Sequence, residues 1–329
     1  MPHSSRSPKV ITVFGASGFL GRHVTSALAK RGYRVRAAVR RPDLAGHLQP
    51  LGDVGQIAAV QANLRHRWSV ERALDGADAA INLVGILFEG GKQSFNSVQE
   101  FGAKAVAQSC AERDIPLVHI SAIGADENSN AEYARTKARG EKAVIDALGE
   151  KAIIMRPSII FGPEDNFFNQ FANMARFSPV LPLIGGGETK FQPVYVIDVA
   201  EAIAKAIDGE LKGGQTYELG GPEVMSFKQC LEEMLEVIDR KRILATVPWA
   251  LARIQGSILG MLPNPLLTKD QVILLETDNV VSENARSGGR TLEAIGIKPS
   301  SVEAILPTYL WRFRETGQFR NPNALSKDS

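Results

Sequence analysis

Tyr133-Ala-Arg-Thr-Lys137 sets a phenol and an ammonium four residues apart, so on a helix both side chains lie on one face. A lysine beside a tyrosine lowers the phenol pKa and can hold a ribose with its ammonium. The phenol is then a candidate general acid/base. The pattern alone is common, and its meaning depends on what stands upstream. There, the run Lys9-Val-Ile-Thr-Val-Phe14 reads as a buried parallel strand and leads straight into Gly15-Ala-Ser-Gly18-Phe-Leu-Gly21. Gly15 permits a tight strand-to-helix turn, Gly18 lets backbone approach a pyrophosphate at the helix N-terminus, and Gly21 allows close helix packing. The spacing is G-x-x-G-x-x-G rather than the usual G-x-G-x-x-G. Its place between strand and helix points to dinucleotide binding, the plain alternative being a packing turn.

An acid at the end of the second strand suits a ribose 2′-hydroxyl, and an arginine suits a 2′-phosphate. The chain reads Ala38-Val-Arg40-Arg41-Pro42-Asp43, which favours NADP(H) with Arg40 as the phosphate partner. The competing reading makes Arg40 and Arg41 solvated charges and Asp43 the cap of a following helix. Asn63 and Leu64 follow the third strand, where an adenine edge is expected. Asn82 to Gly85, Val84 included, closes the fourth, where backbone passes the cofactor ribose.

These positions need a sheet. Strand patterns at 9–14, 33–39, 56–60, 78–83, 117–120 and 152–155 alternate with helical patterns at 18–31, 68–74, 97–113 and 131–148. That rhythm implies right-handed crossovers and an α/β, Rossmann-like, doubly wound parallel sheet. After Pro157 glycines and prolines cluster, and helical patterns recur at 196–207, 226–240, 269–275 and 300–314. The expected organisation is a disordered tail over 1–8, a dinucleotide-binding domain over 9–160, a smaller and mainly helical C-terminal lobe over 161–318, and a flexible tail over 319–329. Elements that complete the sheet are expected within the lobe.

The 329 residues carry a net charge of +2, with 44% apolar and 22% charged residues. This excludes disorder or coiled coil as the dominant state and argues against a dedicated nucleic-acid binder. Cys110 and Cys230 form no metal or disulfide pattern, and the five histidines lack ligand spacing, so no metal is expected. The start of the chain lacks an apolar signal core, although a processed mitochondrial chain looks similar. No run of about 18 uncharged apolar residues is present.

Together the glycine loop and the Tyr–Lys pair resemble the short-chain dehydrogenase/reductase superfamily, of the extended or atypical kind. A narrower series runs in order: Phe14-Gly-Ala-Ser-Gly-Phe-Leu-Gly-Arg22, Gly52-Asp-Val-Gly-Gln56, Ile81-Asn-Leu-Val-Gly85, His119-Ile-Ser121, residues 133–141, Arg156-Pro-Ser-Ile-Ile-Phe-Gly-Pro-Glu-Asp165 and Gln192-Pro-Val-Tyr-Val-Ile-Asp-Val199. It resembles the family of the nucleotide-binding accessory subunit of respiratory complex I (alpha-subcomplex subunit nine) and its bacterial relatives, over residues 9–315. The resemblance implies a tightly bound NADPH and a mainly structural, peripheral place on complex I near the quinone region. That place is the cytoplasmic side of a bacterial inner membrane, or the matrix side for a processed mitochondrial chain. By position, Gly15, Ser17, Gly18, Phe19 and Leu20 would line the pyrophosphate, Arg40 would meet the 2′-phosphate, and Asn63 and Leu64 the adenine. Tyr133 and Lys137 would hold the nicotinamide ribose, and Pro157, Ser158, Ile159 and Ile160 would border the nicotinamide.

One departure bears on catalysis. Active relatives place a serine or threonine near the tyrosine to polarise a carbonyl, about where Ile123 or Gly124 stands here. Ser121 comes early, so the expected activity is weak or absent. The rival readings are a free-standing NADP-dependent reductase, epimerase or dehydratase, and a ubiquinone-biosynthesis relative. Three further expectations concern single features. Asp198 caps the helix after it, and Gly185-Gly-Gly187 is a flexible loop. Within 243–267, Trp249, Ile254, Ile258 and Leu262 line one side of a helix, facing either the lobe's interior or lipid and a membrane subunit.

Overall fold

The computed structural model describes residues 8–91, 93–260, 262, 265 and 267–317. The tails expected over 1–8 and 319–329 lie outside them apart from Pro8, as does part of the end of the 243–267 segment. The chain forms two compact units, the first comprising 1–157, 196–219 and 281–298 and the second 158–195, 220–280 and 299–329.

In chain order the first unit begins with β1 (Val10–Phe14), α1 (Phe19–Lys30), β2 (Arg34–Val39), β3 (Ile57–Gln61), α2 (Arg67–Leu74) and β4 (Ala79–Asn82). A π turn at Asn96–Glu100 leads into α3 (Phe101–Ala111), followed by β5 (Leu117–Ile120), α4 (Glu132–Leu148) and β6 (Ala152–Pro157). The chain then leaves for β7 (Ile160–Phe161), α5 (Phe168–Phe177), β8 (Val180–Ile184), β9 (Lys190–Phe191) and β10 (Val194–Tyr195). It returns with α6 (Val196–Asp208) and β11 (Gln215–Leu219). The second unit resumes with β12 (Met225–Ser226), α7 (Phe227–Val237), β13 (Ile243–Val247), α8 (Trp249–Leu259) and α9 (Lys269–Leu274). A short α10 (Glu283–Ser287) belongs to the first unit, and α11 (Val302–Leu310) to the second.

The sheet order is β11-β6-β5-β4-β1-β2-β3, all parallel. The order reverses between β1 and β4, and the crevice outside their carboxyl ends is where such sheets bind ligands. β1 and β5 are apolar along nearly their whole length because helices cover both faces. The chain first leaves the first unit at Pro157. Residues 196–219 and 281–298 rejoin the first unit, β11 pairing in parallel with β6. Arg156 on β6 grips Glu141 on α4 through two hydrogen bonds (2.9 and 2.6 Å) and lies 3.7 Å from Glu218 on β11. Glu218 in turn accepts from the Ser282 N–H at 2.7 Å. Asp198 stands in the first turn of α6 rather than at its cap, because that helix begins at Val196. A carboxylate there still suits the positive end of the helix dipole.

Helices dominate the second unit, stitched by three two-stranded pairs, β7–β10, β8–β13 and β9–β12. Its core gathers Phe161, Phe168, Phe191 and Phe227 with Leu231, Met234 and Leu306. A buried carboxylate, Asp165, accepts from the Gly162 and Asn169 N–H groups (both 3.1 Å) and from the Tyr309 hydroxyl (2.6 Å), tying α11 to the turn before α5. Gly185, Gly186 and Gly187 all take positive φ. A Cβ on Gly185 would lie 2.1 Å from the Trp249 ring and one on Gly187 2.6 Å from Leu183. Trp249 is therefore half-buried, and it does not join the exposed side of α8 as the sequence spacing suggested. That side carries Leu251, Ile254 and Ile258, with Ala252 and Gly256 turned inward.

In α4 the backbone of Gly140 presses on the π turn, where an added Cβ would stand 2.3 Å from the Gln99 carbonyl oxygen. Gly→Ala inside a helix ordinarily stabilises by about 1 kcal/mol. Here the clash decides the sign, and Gly140→Ala is expected to destabilise by about 2 kcal/mol or more, read as a lower denaturant midpoint.

Candidate nucleotide site at the carboxyl edge of the sheet

Gly15 takes φ +83°, and its N–H donates to the Ala38 carbonyl at 3.0 Å, fastening the turn after β1 to β2. A Cβ there would meet Val84 at 3.2 Å, so the turn after β4 lies directly against the glycine loop. At Gly21 a Cβ would come 2.3 Å from the Gly15 carbonyl oxygen, which lets α1 start tight on the loop. The first turn of α1 has no side-chain cap and no acid. Its N–H groups therefore suit an anion. Gly18 is exposed there, flanked by half-buried Ser17, Phe19 and Leu20.

Arg40 is exposed at the end of β2, and its Nη1 donates to Gln93 Oε1 at 2.7 Å. Arg41 instead grips Asp43 through Nε and Nη2 (3.0 and 2.7 Å), and this hydrogen bonding holds the Asp43 carboxyl below its ordinary range. Asp43 thus pairs with Arg41 and makes no cap contact. After β3 the Asn63 side chain accepts from the Arg65 N–H at 3.2 Å within its own turn. Leu64 is buried in the core with Val70 and Val106, so its side chain faces inward.

At the end of β4, Asn82 is buried, its Oδ1 accepting from the Val84 N–H at 3.1 Å and its Nδ2 standing 3.2 Å from His119 Nδ1. Burial, aided by the nearby Lys137 ammonium, pushes the His119 imidazole down to about 3, so it stays neutral and accepts from Asn82. The Lys137 ammonium is also buried, donating to the Ile120 carbonyl at 3.1 Å. A Cβ on Gly85 would lie 3.3 Å from it. Burial lowers Lys137 to about 8, with Glu141 opposing. Tyr133, one turn earlier, has its ring edge-on to Phe95 at 5.8 Å and 6.0 Å from Lys137 Nζ.

The structure therefore brings Gly15, Val84, Gly85, Tyr133 and Lys137 to one edge, with Pro157 ending β6 beside β5. Ser121, next to Ile120, has its hydroxyl buried without a hydrogen-bond partner among the described residues. Ile123 turns its side chain into a small cluster with Val281 and Ala285, and its N–H donates to the Pro157 carbonyl at 3.0 Å. Ser158, Ile159 and Ile160 belong to the second unit. There the Ser158 hydroxyl donates to Asn279 Oδ1 (2.7 Å) and accepts from the Gln192 N–H at 3.2 Å. The sequence reading passed over Gln93, Gln99 and Thr136, each of which has a side-chain partner distant in sequence.

An uncapped helix start, glycines where a side chain would collide, and a buried ammonium beside a bare backbone turn fit a phosphate-bearing coenzyme. Residues 11–220 match the NAD dependent epimerase/dehydratase family. The NADH dehydrogenase (ubiquinone) 1 alpha subcomplex subunit 9, mitochondrial, of Arabidopsis thaliana is 35% identical over 327 residues, covering 95% of this chain and 80% of that one. The mitochondrial NADH-ubiquinone oxidoreductase 40 kDa subunit of Neurospora crassa is 30% identical, covering 99% and 85%. Among solved structures, dTDP-glucose 4,6-dehydratase of Bacillus anthracis, in complex with NAD, superposes with a TM-score of 0.70 at 15% identity over 94% of this chain and 97% of that one. Since the family match spans more than half of the chain and the plant relative is matched over 80% of its own length, this chain belongs to the NAD dependent epimerase/dehydratase family, in the group of the alpha subcomplex subunit 9 proteins.

Proposed function

We propose that the chain is an accessory subunit of respiratory complex I that holds a nicotinamide nucleotide, NADP(H) rather than NAD(H), in a mainly structural role. The observation that carries the nucleotide reading is Lys137. A buried ammonium that donates to a main-chain carbonyl, beside a glycine with no side chain, is poised for a ribose. Arg40 supports the 2′-phosphate. The structural role is supported by Ser121 and Ile123, neither of which offers a hydroxyl toward solvent for polarising a carbonyl. Ligand binding of this kind stabilises the folded state by mass action. The complex I assignment rests on the names of the relatives. A place near the quinone region is a further part of the proposal. On α8 the exposed Leu251, Ile254 and Ile258 support a peripheral membrane contact. No helix among the described residues is long and apolar enough to cross a membrane. The retained Tyr133 and Lys137 favour a second reading, a free-standing reductase. NADPH oxidation by the purified chain with a small carbonyl compound, at a rate typical of enzymes, would establish that reading instead.

Native purification from source membranes tests the first reading directly. The chain is expected to travel with complex I subunits and to release about one nucleotide per chain on denaturation. Ile254→Glu with Ile258→Glu is expected to lower its membrane-bound fraction. For the nucleotide preference, Arg40→Ala should weaken NADPH roughly tenfold or more and leave NADH nearly unchanged in a titration. For Lys137, the sign of the pH effect follows from its lowered pKa. Between about 8 and 10.5 the unfolded chain holds more protons than the folded one, so stability rises with pH across that window. Lys137→Met is expected to stabilise the nucleotide-free protein at pH 7 by on the order of 2 kcal/mol, a gain that fades as pH climbs through the window. The same variant should lose the thermal shift that NADPH confers.

A further inference from the structure

Arg40 and Arg41 leave β2 side by side, yet they meet different partners. Arg41 grips the Asp43 carboxylate, which offsets its charge. Arg40 instead donates from Nη1 to the side-chain oxygen of Gln93 at 2.7 Å, across 53 residues of chain. An amide oxygen orients a guanidinium without cancelling its charge, and it engages a single corner of the planar fork. Gln93 is itself held by backbone. Its N–H and carbonyl exchange hydrogen bonds with Gly90, both at 3.0 Å. The next residue, Ser94, is locked to Ser97, each N–H donating to the other's hydroxyl oxygen (3.0 and 3.1 Å). Two residues beyond Gln93, Phe95 packs edge-on to Tyr133 at 5.8 Å. Gln93 therefore brings a fixed acceptor from the segment after β4 to the guanidinium at the end of β2.

We propose that Gln93 is a positioning residue that makes the site selective for a 2′-phosphate, by holding the Arg40 guanidinium in place while leaving its charge whole. This rests on the NADP(H) reading of Arg40 above. An exposed arginine samples many rotamers, and a ligand that uses it otherwise bears the cost of ordering it. The Gln93 bond orders Arg40 before the ligand arrives. A carboxylate at the same position would pair with Arg40 as Asp43 pairs with Arg41, and it would repel a phosphate dianion. NADH carries no 2′-phosphate and gains nothing from an ordered Arg40. The role of Gln93 is therefore read in the ratio of NADPH to NADH affinity, which general damage to the loop would not move.

Calorimetric titration of the full chain with NADPH and with NADH tests this. Gln93→Leu is expected to weaken NADPH about fivefold and NADH less than about twofold. Gln93→Glu keeps the shape and adds a charge, and is expected to weaken NADPH about thirtyfold, again with little change for NADH. In an Arg40→Ala background, Gln93→Leu should no longer alter the ratio, because its effect runs through Arg40. A persisting effect there overturns the positioning role. So does a ratio that neither Gln93 variant changes while Arg40→Ala still lowers it, and that outcome leaves the NADP(H) reading intact. Equal loss for both nucleotides overturns the role too, being the mark of a disturbed loop. A ratio that does not respond to Arg40→Ala overturns both the role and the reading it rests on.

Discussion

The burial of the Lys137 ammonium is the constraint around which the rest of the first unit is arranged. Taking an ammonium out of water is costly, and the lowered pKa of Lys137 expresses that cost. The fold offsets it in part with the Ile120 carbonyl and leaves a glycine backbone alongside. Everything nearby is subordinate to that placement. His119 is held neutral below the edge, Asn82 orders the Val84 N–H, and Gln99 ties the following turn to the helix. A residue that costs stability in the empty fold is best accounted for by a ligand that uses it.

The second unit solves a different problem. It lacks a large sheet, and its core rests on interlocking phenylalanine rings and a single buried carboxylate satisfied by two backbone N–H groups and a tyrosine hydroxyl. Close backbone approach recurs there too, since the Trp249 indole lies over Gly185 with no room for a Cβ. With Trp249 taken inward, the outward side of α8 exposes Leu251, Ile254 and Ile258 among polar neighbours. That side is the feature of this unit most in need of a partner.

The fold was largely legible in the amino-acid sequence. β1 and β5 read as strands because continuous β-branched and aliphatic runs suit strands covered on both faces. The Gly15, Gly18 and Gly21 spacing announced the turn because Gly15 takes a positive φ and Gly21 leaves no room for a Cβ. The Tyr133–Lys137 spacing survives as a shared helical face because it depends only on one turn of helix. Such features are local, and local geometry is written in spacing.

Tertiary structure decided what local spacing does not encode. Nothing near Leu64 in the chain says that it turns into the core. The pairing of Arg41 with Asp43, unlike that of Arg40 with Gln93, is a choice between neighbours made by backbone direction at the end of β2. The return of residues 196–219 to the sheet pairs β11 with β6 and brings Arg156, Glu141 and Glu218 together across three elements. Gln99 shows the same limit most clearly, because its partners stand 13 residues before it and 37 after. Sequence determined which segments become strands, helices and glycine turns, through side-chain shape and period. Only the folded chain determined which buried polar groups satisfy one another, because that pairing is imposed by desolvation once distant segments are packed together.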